Sequence, residues 1–224
     1  MSSVGAERTG FLYPFIQRDE RDAESLLADL ATSARAKARE SAALQRATLA
    51  QCAALIEVAG AAMAERFAEG GRMFTFGNGG SSTDAATLAG LFARPLDGRP
   101  LPALSLAADQ AVVTALGNDV GFELVFSRQI IAHAHARDIA VAISTSGSSD
   151  DLLSALAEAS RRGLLTIGFA GYDGGRMAAA PEVDHCFVVA SQSVHRIQES
   201  QALLGYELWA TVQRHLPARG RRER

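Results

Sequence analysis

The chain has 224 residues, 48% of them hydrophobic, with a formal net charge of −3 and an isoelectric point near 6.0. That apolar share supplies the core of one large α/β domain, and the acidic balance excludes nucleic-acid binding through bulk positive charge. Cys52 and Cys186 lack metal-ligand spacing and read as reduced thiols of a cytoplasmic protein. The sequence opens without a basic-then-apolar leader, and no apolar run reaches the roughly 18 residues of a membrane span.

Residues 1–18 form an N-terminal arm, with FLYPFI as an apolar patch around Pro14. It is either a docking arm for a protein partner or a frayed terminus. A single domain is expected over 19–216, beginning with two helices at about 21–37 and 40–69. Leu26, Leu27, Leu30 and Ala31, then Leu49, Ala53, Leu55, Ile56 and Ala59, recur at helical spacing, and Gly70-Gly71 stops the second helix. Short strands then alternate with helices. Strands are expected at 73–76, 103–105, 139–144, 164–169 and 186–189. Helices are expected at about 82–92, 109–117, 121–135 and 150–162, with a short one after the turn at 171–175. A last long helix covers 193–215 before Pro217. Residues 217–224 are a basic tail, read as solvated. This alternation predicts an α/β fold: a doubly wound, mostly parallel sheet with helices on both faces and ligands at the carboxyl ends of the strands.

Two loops at such ends suit an anion. The first, around Asn78, Gly79, Gly80 and Ser81, carries glycines that let backbone approach a ligand, and the next helix aims free N–H groups and a positive dipole end at the same point. An unliganded strand-to-helix turn would use glycines too. The second loop, 144–149, holds Ser144, Thr145, Ser146, Ser148 and Ser149. One of these hydroxyls can cap the following helix, but five exceed any capping need. Neutral donors with backbone amides can hold a phosphate. Neither loop fits a nucleotide-hydrolysing P-loop or a dinucleotide fingerprint.

GNGGSS followed by Asp84-Ala85, LGNDVGFE at 116–123, AISTSGSS at 142–149, GFAGYDGG at 168–175 and RIQE at 196–199 occur in this order. Together they resemble the sugar isomerase (SIS) domain family, in its phosphoheptose isomerase branch, over about residues 40–215. The resemblance implies a flavodoxin-like sandwich, phosphosugar ligands, a homotetramer with N-terminal helices packed in it, and sites between subunits. It implies that Ser81, Ser144, Thr145, Ser146 and Ser149 hold the sugar phosphate, with Gly79 and Gly80 shaping the first loop. Ser148 stands where the family usually has Asn.

The family reaction moves a carbonyl between C1 and C2, which needs a base and a proton shuttle. The resemblance assigns these to a Glu after the first loop and a His on the last helix, often with zinc held by an earlier His, that Glu, the RIQE Gln and the late His. Counting from the motifs, these positions are Thr87, Leu91, Gln198 and Tyr206, so the usual zinc site is expected to be absent and no cofactor is implied. His195, just before RIQE, is a candidate base that also reads as a capping or solvent-facing residue. The favoured reading is a phosphosugar-binding sensor or regulator. The alternative is an aldose-ketose isomerase of sedoheptulose 7-phosphate or a related sugar, using displaced groups around His195, Gln198 and Tyr206. His133 and His135, at i and i+2, do not share a helix face. Asp109 and Asp119 read as caps, and Asp84 as a capping-box member.

Overall fold

The structure, a computed structural model, describes residues 23–217. The FLYPFI arm and the basic tail beyond Pro217 lie outside the described residues. The chain divides into two compact units, residues 1–42 and 43–224. In the first, the described residues belong to helix α1, with Leu27 66% and Leu30 55% exposed. All other elements lie in the second.

Helix α1 runs unbroken over Ala23–Ala68. This corrects the expectation of two helices at 21–37 and 40–69. Lys37, Ala38, Arg39 and Glu40 all favour helix and no glycine or proline separates them, so nothing stops the first segment. α1 also contains an 18-residue window of mean hydropathy 1.5, which corrects the reading that no stretch is long and apolar enough to span a bilayer. Here Cys52, Ile56, Ala59, Met63 and Phe67 are buried against the protein core, while Glu57 on another face pairs with Arg214 and His215.

The sheet has five strands: β1 (Met73–Gly77), β2 (Ala103–Ser105), β3 (Ile139–Ile143), β4 (Leu165–Gly171) and β5 (His185–Val189). Their spatial order is β2-β1-β3-β4-β5, and every pairing is parallel. This is the flavodoxin-like order, with its switch point between β1 and β3. Helices α2 (Gly80–Ala93), α3 (Gln110–Asp119), α4 (Val125–His133), α5 (Asp150–Arg161), α6 (Gly175–Ala179) and α7 (Val194–His215) complete the unit. Side chains alternate across the sheet. Ile139, Val141 and Ile143 point to a core shared with α1, α2 and α7. Ala140 and Ala142 point to the other core, where Phe74, Phe76 and residues of α4 and α5 fill the space left by the alanines. Burial on both faces explains why β3 reads as a continuous apolar run.

Most other element ends fall within two residues of the sequence expectation, and two differences have a clear physical cause. The helix expected at 121–135 is a 3-10 turn, Phe122–Leu124, followed by α4. Gly121 at φ +117 starts that turn, and α4 stops at His133, leaving His135 outside it. Strand β4 continues to Gly171 rather than stopping at 169. Its glycines give a weak strand signal, yet a Cβ on Gly168 would lie 2.7 Å from Met177 Sδ, and one on Gly171 would lie 2.6 Å from Ile197 Cδ1. Close packing from α6 and α7 requires the small residues there.

Asp138 pins the starting edges of β1 and β3. It is 1% exposed and accepts from the backbone N–H of Arg72 at 2.8 Å and of His135 at 2.9 Å. Asp138→Ala removes the acceptor of both backbone donors. The expected cost is about 2–4 kcal/mol, from two lost charge-assisted bonds, read as a fall in the denaturant midpoint. A loss under about 0.5 kcal/mol, the range of ordinary surface substitutions, would contradict the pinning role.

Candidate functional site

Strands β1 and β3 end side by side, with Gly77 opposite Ile143. The two loops singled out from the sequence therefore leave the sheet at one level, at the switch point.

In the first loop Gly79 is the N-cap of α2 at φ 54, ψ −125, a conformation that favours glycine. Ser81 N donates to Asn78 O at 2.9 Å and Ser82 N to Gly79 O at 3.1 Å. Ser81 is 6% exposed, and α2 has no acidic residue in its first turn. The positive end of its dipole is thus unopposed by its own side chains. Asn78 does not project freely. Its Nδ2 donates to both carboxylate oxygens of Asp151, at 3.0 and 2.9 Å, latching the first loop to the first turn of α5. Burial pushes the Asp151 carboxyl above the ordinary 3.8, and the Asn78 hydrogen bond partly opposes this.

The second loop folds on itself. Gly147 sits at φ +62, and a Cβ there would collide with the Gly174 carbonyl. Gly147 N donates to Ser144 Oγ at 3.0 Å, and Ser148 N to Ser146 Oγ at 3.3 Å. The Ser144 and Ser146 hydroxyls are 3.4 Å apart, and Ser148 Oγ accepts from Arg176 N at 3.2 Å. Ser149 is the N-cap residue of α5, yet its side chain makes no capping bond. Within the described residues the hydroxyls of Thr145 and Ser149 have no protein partner. The loop thus has a formed, neutral shape with donors to spare.

Helix α7 closes the site from the side. Gln198 Nε2 donates to Asp84 Oδ2 at 2.9 Å, and a Cβ on Gly80 would lie 2.7 Å from that same nitrogen. Asp84 is thus bound to α7 and not to the capping box expected of it. Asp109 does cap α3, accepting from Ala111 N and Val112 N. Gln201 Nε2 donates to Ser144 O at 2.8 Å, so α7 also grips the second loop.

Beside the loops lies a cleft of about 70 Å³ lined by Asp84, Thr87, Leu88, Leu91, Ile143, Gln201, Ala202 and Gly205. Thr87 and Leu91 share one face there, as their spacing requires. Thr87 Oγ1 donates to Thr83 O at 2.9 Å, so its hydroxyl is committed to its own helix. The one titratable lining side chain is Asp84. Gln198 touches the cleft only through Asp84. His195 is exposed in the first turn of α7, and Tyr206, 50% exposed, packs on Trp209 with ring centroids 5.5 Å apart. None of His195, Gln198 and Tyr206 is among the cleft-lining residues. A zinc ion needs several His, Cys or carboxylate donors converging, and among the described residues no three such groups do so. The hydroxyls of Thr87 and Tyr206 and the hydrocarbon side chain of Leu91 do not fit that metal.

Sequence reasoning missed Gln201 and Asp151. Their partners are 57 and 73 residues away, so no local pattern marks them.

Residues 38–171 match the SIS domain. A phosphoheptose isomerase of Solidesulfovibrio magneticus is 40% identical over 179 residues, covering 79% of this chain and 86% of its own. One from Desulfovibrio desulfuricans is 44% identical over 176 residues, covering 77% and 82%. The structure of a phosphoheptose isomerase from Francisella tularensis superposes with a TM-score of 0.76 at 28% identity, covering 82% of this chain and 97% of that one. The enzyme from Neisseria gonorrhoeae gives 0.74 at 31%, covering 82% and 98%. With the flavodoxin-like strand order and the two switch-point loops, these likenesses establish that the chain belongs to the SIS domain family, in its phosphoheptose isomerase-like branch.

Proposed function

We propose that this protein binds a phosphosugar at the switch-point loops and serves as a sensor or regulator rather than as an isomerase of the usual mechanism. The observation that carries this reading is the contrast between the two halves of the site. The loops keep a formed hydroxyl and amide cradle suited to a phosphate. The adjoining cleft is walled mainly by Leu88, Leu91, Ile143, Ala202 and Gly205, without a histidine or glutamate, and its one carboxylate, Asp84, is held by Gln198. Aldose-ketose interconversion requires a group that takes a proton from carbon and returns it. Leu91 carries no proton, and the Thr87 hydroxyl is bound to its own helix.

In this reading the phosphate lies on the N-terminus of α2 and the 144–149 loop. Ser81, Ser144, Thr145, Ser146 and Ser149 donate hydroxyls or backbone amides, and Gly79 and Gly80 allow close approach. Asn78 acts indirectly, by latching the first loop to Asp151. No zinc is required. A homo-oligomer, a tetramer by family resemblance, would complete the sugar pocket from a neighbouring copy. Reduced Cys52 and Cys186 suit a cytoplasmic setting.

The second reading is an active isomerase of sedoheptulose 7-phosphate or a related sugar. Identity of about 40% to proteins of that name favours it. It would need His195 as base with Gln198 and Tyr206 near the sugar, or a group from a neighbouring subunit.

Binding is tested by calorimetry with sedoheptulose 7-phosphate. Wild type should bind, and Ser146→Ala should weaken binding about tenfold, the loss of roughly one charge-assisted hydrogen bond. Unchanged affinity in Ser146→Ala would remove the phosphate from this loop. Aldose formation by wild type that disappears in His195→Ala would instead establish the second reading.

The latch predicts a pH dependence. Because burial raises the Asp151 pKa, folding favours its protonated form. That contribution is full below the ordinary value of 3.8 and is lost as pH rises through the raised folded value. Asp151→Asn keeps an acceptor for Asn78 without the buried charge. The melting temperature of this variant relative to wild type should therefore be higher at pH 7 than at pH 4. A difference that shrinks as pH rises would contradict a buried, raised carboxyl.

A further inference from the structure

Gln201 is held unusually for an amide in a helix facing a core. It is 2% exposed. Its nitrogen is committed to the Ser144 carbonyl, and that bond fixes which end of the amide is oxygen. Its Oε1 accepts no hydrogen bond from the protein. A sealed acceptor without a partner is costly, and such atoms in native structures call for a ligand, a water or an ion. The side chain lines the cleft between α2 and α7. There the other walls are the apolar Leu88, Leu91 and Ile143, the small Ala202 and Gly205, and two polar residues already engaged, Asp84 with Gln198 and Thr87 with Thr83 O. Gly205 keeps that space narrow, since a Cβ on it would lie 3.0 Å from Leu88 Cδ1.

Size and polarity restrict the occupant. The cleft holds about 70 Å³, where one water needs roughly 10–15 Å³ by the same measure. It therefore has room for several heavy atoms, enough for the hydroxylated end of a sugar. An anionic fragment would face Leu88, Leu91, Ile143 and the Asp84 carboxylate, with no cation among the lining residues. An uncharged C–OH group can donate to the orphaned oxygen and lay its carbon against the leucines.

Resting on the phosphosugar reading above, we infer that Gln201 is a specificity-determining residue: its Oε1 accepts a hydrogen bond from a hydroxyl of the sugar portion, while the phosphate lies on the two loops. One amide thereby couples both halves of the ligand. Its nitrogen shapes the phosphate loop through Ser144 O, and its oxygen reads a hydroxyl in the cleft. The ligand class is a phosphosugar with an uncharged hydroxyl end.

The test compares sedoheptulose 7-phosphate with inorganic phosphate by calorimetry, in wild type, Gln201→Met and Ser146→Ala. Gln201→Met should weaken the phosphosugar about tenfold, the loss of one partnered acceptor, and leave inorganic phosphate within about twofold. Ser146→Ala should weaken both ligands. If Gln201→Met weakens both ligands equally, Gln201 only braces the Ser144 loop and the inference is overturned. Unchanged phosphosugar affinity in Gln201→Met overturns it as well. If wild type binds neither ligand, the phosphosugar reading itself fails, and this inference with it. Should Gln201→Met not fold, a crystal structure of wild type with the phosphosugar decides. A sugar hydroxyl within about 3.2 Å of Gln201 Oε1 supports the assignment, and an adventitious water there instead overturns it.

Discussion

Parallel pairing of β1 with β3 through to Gly77 and Ile143 ends two strands at one level, and the chain must then leave the sheet in opposite directions to reach β2 and β4. That divergence opens a crevice which the connecting helices cannot fill. It places the first loop and the 144–149 loop on either side of one point, with the N-terminus of α2 directed at it. The polar chemistry of this protein follows from that placement. Moving either loop by one residue of register would separate the glycines from the hydroxyls.

Three side-chain bonds then hold the crevice in shape. Asn78 to Asp151 joins the first loop to α5. Gln198 to Asp84 joins α7 to α2. Gln201 to the Ser144 carbonyl joins α7 to the second loop. Each links elements far apart in sequence, and each involves an amide, which is uncharged and directional. In the proposed reading these bonds pre-shape an anion site from a helix end, backbone N–H groups and hydroxyls. Beside it, between α2 and α7, lies a narrow cleft with mostly apolar walls. Such a site would recognise a phosphate and a hydroxyl while offering little to move a proton between carbons.

The parts legible in the sequence were those with local signatures. Alternating strand and helix periods gave the α/β class, and the glycine-rich turn and hydroxyl run marked the two loops. The i, i+4 spacing put Thr87 and Leu91 on one face. What stayed hidden was set by distant partners. Asn78 looked like a ligand residue because its loop is glycine-rich, whereas its amide serves Asp151, 73 residues away. Gln201 carries no local signal, because its partner, the Ser144 carbonyl, is 57 residues away. Asp84 read as a capping residue, and the bond from Gln198 lies 114 residues off. Two separate sets of apolar residues at helical spacing suggest two helices, whereas α1 is continuous because every residue near 38 favours helix.

The central claim is that the protein holds a phosphosugar without exchanging its carbon-bound protons. Incubation with sedoheptulose 7-phosphate in deuterium oxide, followed by NMR of the sugar, measures this directly, since proton transfer between C1 and C2 admits solvent deuterium even when net conversion is small. The account predicts line broadening or saturation transfer that reports binding, with the C1 protons retained and no aldose formed, with or without added zinc. Deuterium at C1 or C2 that depends on the protein would contradict it.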